Sequence, residues 1–232
     1  MTPILEVCCG SLQSAIEAVE GGAKRIELCA ALALDGLTPS LGTLTLLRRR
    51  YPDLLIHVLI RPREGDFVYT PQEIEVMIAD TQAAVRAGAS AIVSGALTPD
   101  GDIDLPATER FLRAAAPLPF TFHRAFDHVR TPLTALAQLQ RLGVQRILTS
   151  GAAPTAEQGI PLLRQLIGHS SSHAGGAQRT VILPGGGINS HNAPAILAAT
   201  GATELHASCS RTLPDGSRQT SAEEVRALLN AM

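Results

Sequence analysis

The pattern that most restricts the fold is an alternation, repeated eight times, of short β-branched or apolar runs with longer amphipathic stretches. The short runs fall at residues 3–9, 24–29, 54–60, 90–94, 119–124, 145–149, 180–184 and 203–208. Short apolar runs bounded by turn signals read as buried strands. Between and after them, residues 11–20, 40–51, 70–87, 105–116, 131–142, 155–167, 190–199 and 221–231 carry helical spacing. Gly21-Gly22, Gly88, Gly143 and Gly201 stand where helix C-termini need a residue tolerant of positive φ. Ser11, Ser40, Thr70 and Ser221 stand where N-caps belong, and Thr70 with Glu73 has the spacing of a capping box. Strands that alternate with helices assemble into a parallel sheet. Eight such units at about 29 residues each lie near the lower limit for a (β/α)8 barrel. The chain is therefore predicted to be α/β, a single TIM-barrel domain over residues 1–232. A doubly wound open sheet is the alternative, but eight units without a topological break favour closure.

Composition bounds the function. Apolar residues make up 45% and charged residues 17%, with a net charge of −2, enough to bury a sizeable core. No run of eighteen apolar residues occurs, and no basic then apolar leader precedes Ile4-Leu5-Glu6-Val7, so a cytoplasmic protein without a membrane partner is expected. The mild acidity argues against nucleic acid, whose affinity rests on neutralising phosphates; Arg48-Arg49-Arg50 reads as a solvated helix end. Four cysteines, Cys8, Cys9, Cys29 and Cys209, fit no disulfide framework and form no CxxC pair, so reduced thiols are expected.

In such a barrel, chemistry gathers at the C-terminal strand ends, and inward residues alternate with outward ones. Glu6-Val7-Cys8 and Glu27-Leu28-Cys29 each set a carboxylate and a thiol on one strand face. The third strand offers His57 and, four residues on, Arg61; the fifth offers Thr121 and His123 with Arg124 and Asp127 just beyond. The sixth ends Thr149-Ser150-Gly151, and the eighth offers Glu204, His206 and Ser208 on one face. Any single one of these can be a satisfied core residue or an outward one under a helix. Convergence at one end points instead to a site, because buried polar groups left unpaired cost about 1–3 kcal/mol each. Gly185, Gly186 and Gly187 follow the seventh strand, where many barrels hold phosphate with backbone amides, though a tight turn needs the same glycines. The charged stretch 60–69 is long enough to cover the mouth as a lid. The polar stretch 169–176 reads as a flexible loop at the opposite end. A Schiff-base mechanism is excluded, because the only lysine, Lys24, starts the second strand and so lies away from the mouth.

Taken together, Leu5-Glu6-Val7-Cys8-Cys9, Gly22-Ala23-Lys24-Arg25-Ile26-Glu27-Leu28-Cys29, Gly36-Leu37-Thr38-Pro39-Ser40-Leu41-Gly42, Ile60-Arg61-Pro62-Arg63-Glu64-Gly65-Asp66-Phe67, Thr121-Phe122-His123-Arg124-Ala125-Phe126-Asp127 and Leu148-Thr149-Ser150-Gly151 closely resemble the copper homeostasis protein CutC family. The resemblance runs from Met1 to about Ser208, and residues 209–220 stand as a short substitute for a larger insertion in longer members. It implies a cytoplasmic TIM barrel, a homodimer or higher homo-oligomer, linked to copper tolerance and holding Cu(I) on Cys8 and Cys29. The residues themselves support a second expectation, an enzyme acting on a small polar or phosphorylated substrate. There Glu6, Glu27, His57, His123, Asp127 and His206 supply acid/base groups, Arg61 and Arg124 hold an anion, and Gly185–Gly187 hold phosphate. A third is a sensor whose liganded barrel signals through oligomer contacts.

Overall fold

The computed structural model describes residues 3–171, 179–214 and 216–232. Eight parallel strands form one sheet: β1 (Ile4–Cys9), β2 (Arg25–Leu28), β3 (Leu55–Leu59), β4 (Ala91–Ser94), β5 (Phe120–Phe122), β6 (Arg146–Thr149), β7 (Val181–Pro184) and β8 (Glu204–Ala207). Their spatial order is β7-β6-β5-β4-β3-β2-β1-β8. A parallel bridge between Gly185 and His206 joins the two outermost strands, so the sheet curls into a (β/α)8 barrel. The helices that follow are α1 (Leu12–Glu20), α2 (Leu41–Arg50), α3 (Pro71–Arg86), α4 (Leu105–Ala115), α5 (Pro132–Arg141), α6 (Ile160–Ser171), α7 (Ala193–Thr200) and α8 (Ala222–Ala231).

Local chemistry sets the boundaries. Thr70 and Glu73 form the capping box that starts α3: the Glu73 amide donates to Thr70 Oγ1, and Glu73 Oε2 accepts from the Thr70 amide at 2.7 Å. Ser11 and Ser40 accept from the amides of Ser14 and Thr43 and so start α1 and α2.

Two helix starts differ from the sequence expectation by three residues or more. Helix α6 begins at Ile160 rather than residue 155, because the chain first passes so close to β6 that a Cβ on Gly159 would stand 1.8 Å from the Ser150 carbonyl. Helix α7 begins at Ala193 rather than residue 190: Asn189 Oδ1 accepts from the His191 and Asn192 amides, and the resulting turn delays the helix. Within the stretch 169–176, His169 to Ser171 are the last turn of α6, and the remainder lies outside the described residues. Residues 209–220 form an unforeseen antiparallel hairpin, β9 (Ser210–Thr212) with β10 (Arg218–Thr220).

Register divides each strand between two environments. Leu5, Val7, Ile26, Leu28, Ile56 and Val58 face outward into the large apolar cluster shared with the helices. Each such fully buried aliphatic side chain stabilises the fold by about 1.5–3 kcal/mol. The inner register aligns Glu6 with Arg25 and His206, and Glu27 with Cys8 and His57. Inside the barrel the apolar cluster shrinks to Cys8, Cys29, Leu59 and Val93, with Leu32 beside them. The usual layers of branched aliphatics are replaced there by charge.

Candidate functional site

The innermost carboxylate is Glu6, fully buried. His206 Nδ1 meets its Oε1 at 3.0 Å, while His57 Nδ1 and Arg25 Nε stand at 2.6 and 2.9 Å from Oε2. Burial alone would raise the Glu6 carboxyl, but His57, the hydrogen bonds from His206 and His57, and Arg25 hold it well below the usual range. Arg25 Nη2 also reaches Glu204 Oε2 at 2.5 Å, and Arg146 Nε reaches the same oxygen at 3.0 Å. Glu6, Arg25, Glu204 and Arg146 thus form a chain of alternating charge across the barrel floor, with His57 beside it.

Above this floor, β1 and β2 bring two thiols and a carboxylate together. Cys8 Sγ lies 3.8 Å from Cys29 Sγ and 3.8 Å from Glu27 Oε1. The three are buried, and their donor atoms lie within 4.8 Å of one another, as do those of Glu6, Glu27 and His206. All four cysteines are free thiols. The hydrogen bond with Cys29, then burial, push the Cys8 thiol well above its ordinary value. Glu27 is pushed up to about 7, chiefly by burial and then by Glu6, against the pull of His206. His206 stays imidazolium at neutral pH: burial opposes its charge, but Glu27, Cys8 and Glu6 outweigh that and raise it well above the usual value.

A cavity of about 720 Å³ opens over these groups at the C-terminal end of the strands, the end the sequence marks out. Cys8, Glu27 and His206 form part of its floor, whereas Cys29, Glu6 and His57 lie behind them. Arg61, Phe67 and His123 form one wall. The stretch 60–69 lies over this wall as an irregular segment. Arg63 fastens it by donating to Glu73, Asp66 and the Val68 carbonyl. Phe67 then reaches inward, its ring 4.9 Å from that of His123 and 5.0 Å from the Arg61 guanidinium carbon. His123 is buried, its Nδ1 accepts from the Ala125 amide, and burial and Arg61 lower its pKa to about 3. The ring is therefore neutral, with its remaining proton on Nε2.

The other wall is built around Asp127. Its carboxylate accepts from Thr149 Oγ1, the Ser150 amide and hydroxyl, and the Ala152 amide, and pairs with Arg124 Nε at 2.8 Å. Asp127 thus organises the loop after β6 rather than facing the cavity. Arg124 also donates to Ser150 Oγ and lies against Gly186. Gly185 donates its amide to the Thr149 carbonyl and belongs to the barrel seam, while Gly186 and Gly187 line the cavity at positive φ. Arg25 and Arg146 were missed by sequence reasoning. Each lies two residues before an inner position, Glu27 and Leu148, so the same period-two count would have found them. Arg218, on the hairpin, also lines the cavity and carried no sequence signal.

A protein-family model described as the CutC family matches residues 3–211, the stretch that supplies almost every group above. This chain belongs to the CutC family. The copper homeostasis protein cutC homolog of Homo sapiens is 45% identical over 92% of this chain and 76% of its own length. The family protein CutC of Parabacteroides distasonis is 44% identical over 90% of this chain and 83% of its own. A crystal structure of the putative copper homeostasis protein CutC from Streptococcus agalactiae superposes with a TM-score of 0.82 at 31% identity, covering 89% of this chain and 98% of that one. The CutC match ends inside the β9–β10 hairpin, so the hairpin's second strand is outside the matched region.

Proposed function

We propose that this chain serves copper homeostasis by taking up Cu(I) between Cys8 and Cys29. The observation that carries the reading is the 3.8 Å separation of the two sulfurs at the foot of the cavity. Sulfurs each about 2.3 Å from one ion can stand up to about 4.6 Å apart, so a single soft ion fits without strand movement. Thiolate suits Cu(I) better than harder cations, and the Glu27 carboxylate beside Cys8 supplies charge to a site that lacks a third sulfur. Cys8 lines the cavity, giving the ion a route in. Because the Cys8 thiol is held protonated, uptake displaces protons and affinity rises with pH. Four reduced cysteines agree with a cytoplasmic protein, and a homo-oligomer belongs to the same reading.

Anaerobic competition against a chromogenic Cu(I) chelator tests this. The native chain is expected to bind one ion tightly, and Cys8→Ser/Cys29→Ser to lose that binding while keeping native circular dichroism. Equal affinity in the two proteins would overturn the assignment.

A further inference from the structure

A Cu(I) site needs two sulfurs, not 720 Å³ of space walled by arginine, histidine and glycine. Cavities of that size are typical of small organic ligands. We propose that the cavity above the cysteine pair binds a small organic phosphate, its phosphoryl group held by Arg124 with the Gly186 and Gly187 amides and its oxygen-bearing remainder held beneath Phe67 by Arg61 and His123.

The first observation is Arg61. Its side chain is 3% exposed and lines the cavity, yet it has no carboxylate within ion-pair distance among the described residues. Its Nη1 donates to the Leu34 and Gly36 carbonyls and its Nη2 to the Gly65 carbonyl, while the buried Nε has no partner among the described residues. A desolvated guanidinium without a counter-charge is costly, and an anionic ligand in the adjoining cavity relieves that cost.

The second, independent observation is His123. It is 5% exposed and lines the same cavity, and its Nε2 meets no hydrogen-bond partner among the described residues. With Nδ1 occupied by the Ala125 amide, Nε2 carries the proton and is a donor in need of an oxygen. A neutral imidazole donor suits a carbonyl or hydroxyl oxygen, whereas the phosphoryl charge belongs at Arg124.

The third is the opposite wall. Gly186 and Gly187 have φ of 104° and 72°, and their amides have no acceptor among the described residues. A Cβ built on Gly186 would lie 3.8 Å from Arg124 Nη1, so backbone and guanidinium border one space. Arg124 Nε and Nη2 are committed to Asp127 and Ser150, which fixes the guanidinium plane and leaves Nη1 for a ligand. Helix α7 starts six residues after Gly187, so the anion rests on loop amides and Arg124 rather than on the helix end.

The test uses metal-free protein carrying Cys8→Ser/Cys29→Ser, so that it stands or falls apart from copper. Calorimetric titration with inorganic phosphate, glycerol 3-phosphate and dihydroxyacetone phosphate is expected to show binding, with the organic phosphates tighter. Arg124→Gln, at a half-exposed position, should weaken all three by about tenfold or more. Arg124→Lys should recover part of the loss. His123→Asn, which can still accept from the Ala125 amide but has no donor at the Nε2 position, should abolish the advantage of the organic phosphates and leave inorganic phosphate unchanged. The proposal is overturned if no phosphate binds, if binding is unchanged in Arg124→Gln, or if malonate binds while phosphates do not.

Discussion

Glu27 shows how strongly a single residue is set by its surroundings. Its Oε1 faces Cys8, its buried Oε2 has no partner among the described residues, and its carboxyl is pushed up to about 7 by burial and the nearby Glu6. An acid whose folded value lies above the unfolded one, about 4.3, contributes stability below that value and loses it as pH rises through 7. Glutamine keeps the shape of the protonated acid without the charge. Glu27→Gln is therefore expected to unfold like the native chain at pH 4.5, and to be more stable by about 3 kcal/mol at pH 8. His123 has the opposite sense: lowered to about 3, it removes stability as pH falls from the unfolded value near 6.5. The quantity to follow is thus the difference between variant and native urea midpoints across pH, in which the His123 contribution cancels. A difference that stays flat from pH 4.5 to 8 would contradict the raised acidity constant.

At the scale of elements, the loop after β6 depends on one side chain from the turn after β5. Asp127 is nearly buried and gathers Thr149, Ser150, Ala152 and Arg124 onto two oxygens. Removing a charged acceptor strands several buried donors at once, so Asp127→Ala should cost about 3 kcal/mol in chemical denaturation. It should also free the Arg124 guanidinium and weaken phosphate binding in the titration above. A loss below about 1 kcal/mol would mean that water replaces the carboxylate. The sequence announces the strands and the caps Ser11, Ser40 and Thr70, because period-two alternation and Ser/Thr caps are local properties; Ser221 stands at the N-cap position of α8 without a side-chain cap bond. What it hides is tertiary: the late start of α6 follows from Gly159 pressing on the Ser150 carbonyl, a contact across the chain. The β9–β10 hairpin is equally hidden. Its three-residue strands are short and polar, and its anchor, the Ser221 amide donating to the Cys209 carbonyl at 2.8 Å, has no sequence signature.

For the whole molecule, the division between a dry outer layer and a charged interior decides where stability and function reside. Apolar packing between sheet and helices holds the barrel closed, which leaves the interior free to carry groups that a stability-driven core would exclude. The sequence reveals that interior as a set of residue types on inner faces, with Glu6, Glu27, His123 and His206 among them. It does not reveal their pairing, since which carboxylate meets which cation depends on register across strands as distant as β2 and β8. That pairing is measurable. Arg25→Met leaves Glu6 to its two histidines and Glu204 to Arg146 alone, so a loss of about 3 kcal/mol is expected. Glu204→Leu should also destabilise, because it leaves Arg146 without its carboxylate and Arg25 with Glu6 alone. If the 2.5 Å contact joins two buried charges, the double variant must lose less than the sum of the two single ones. The coupling in a double-mutant cycle is expected to exceed about 1 kcal/mol and to persist in high salt, since ions do not penetrate the barrel floor. Additive losses, or a coupling screened away by salt, would mean that the floor is hydrated and that the charge network does not set the geometry of the site above it.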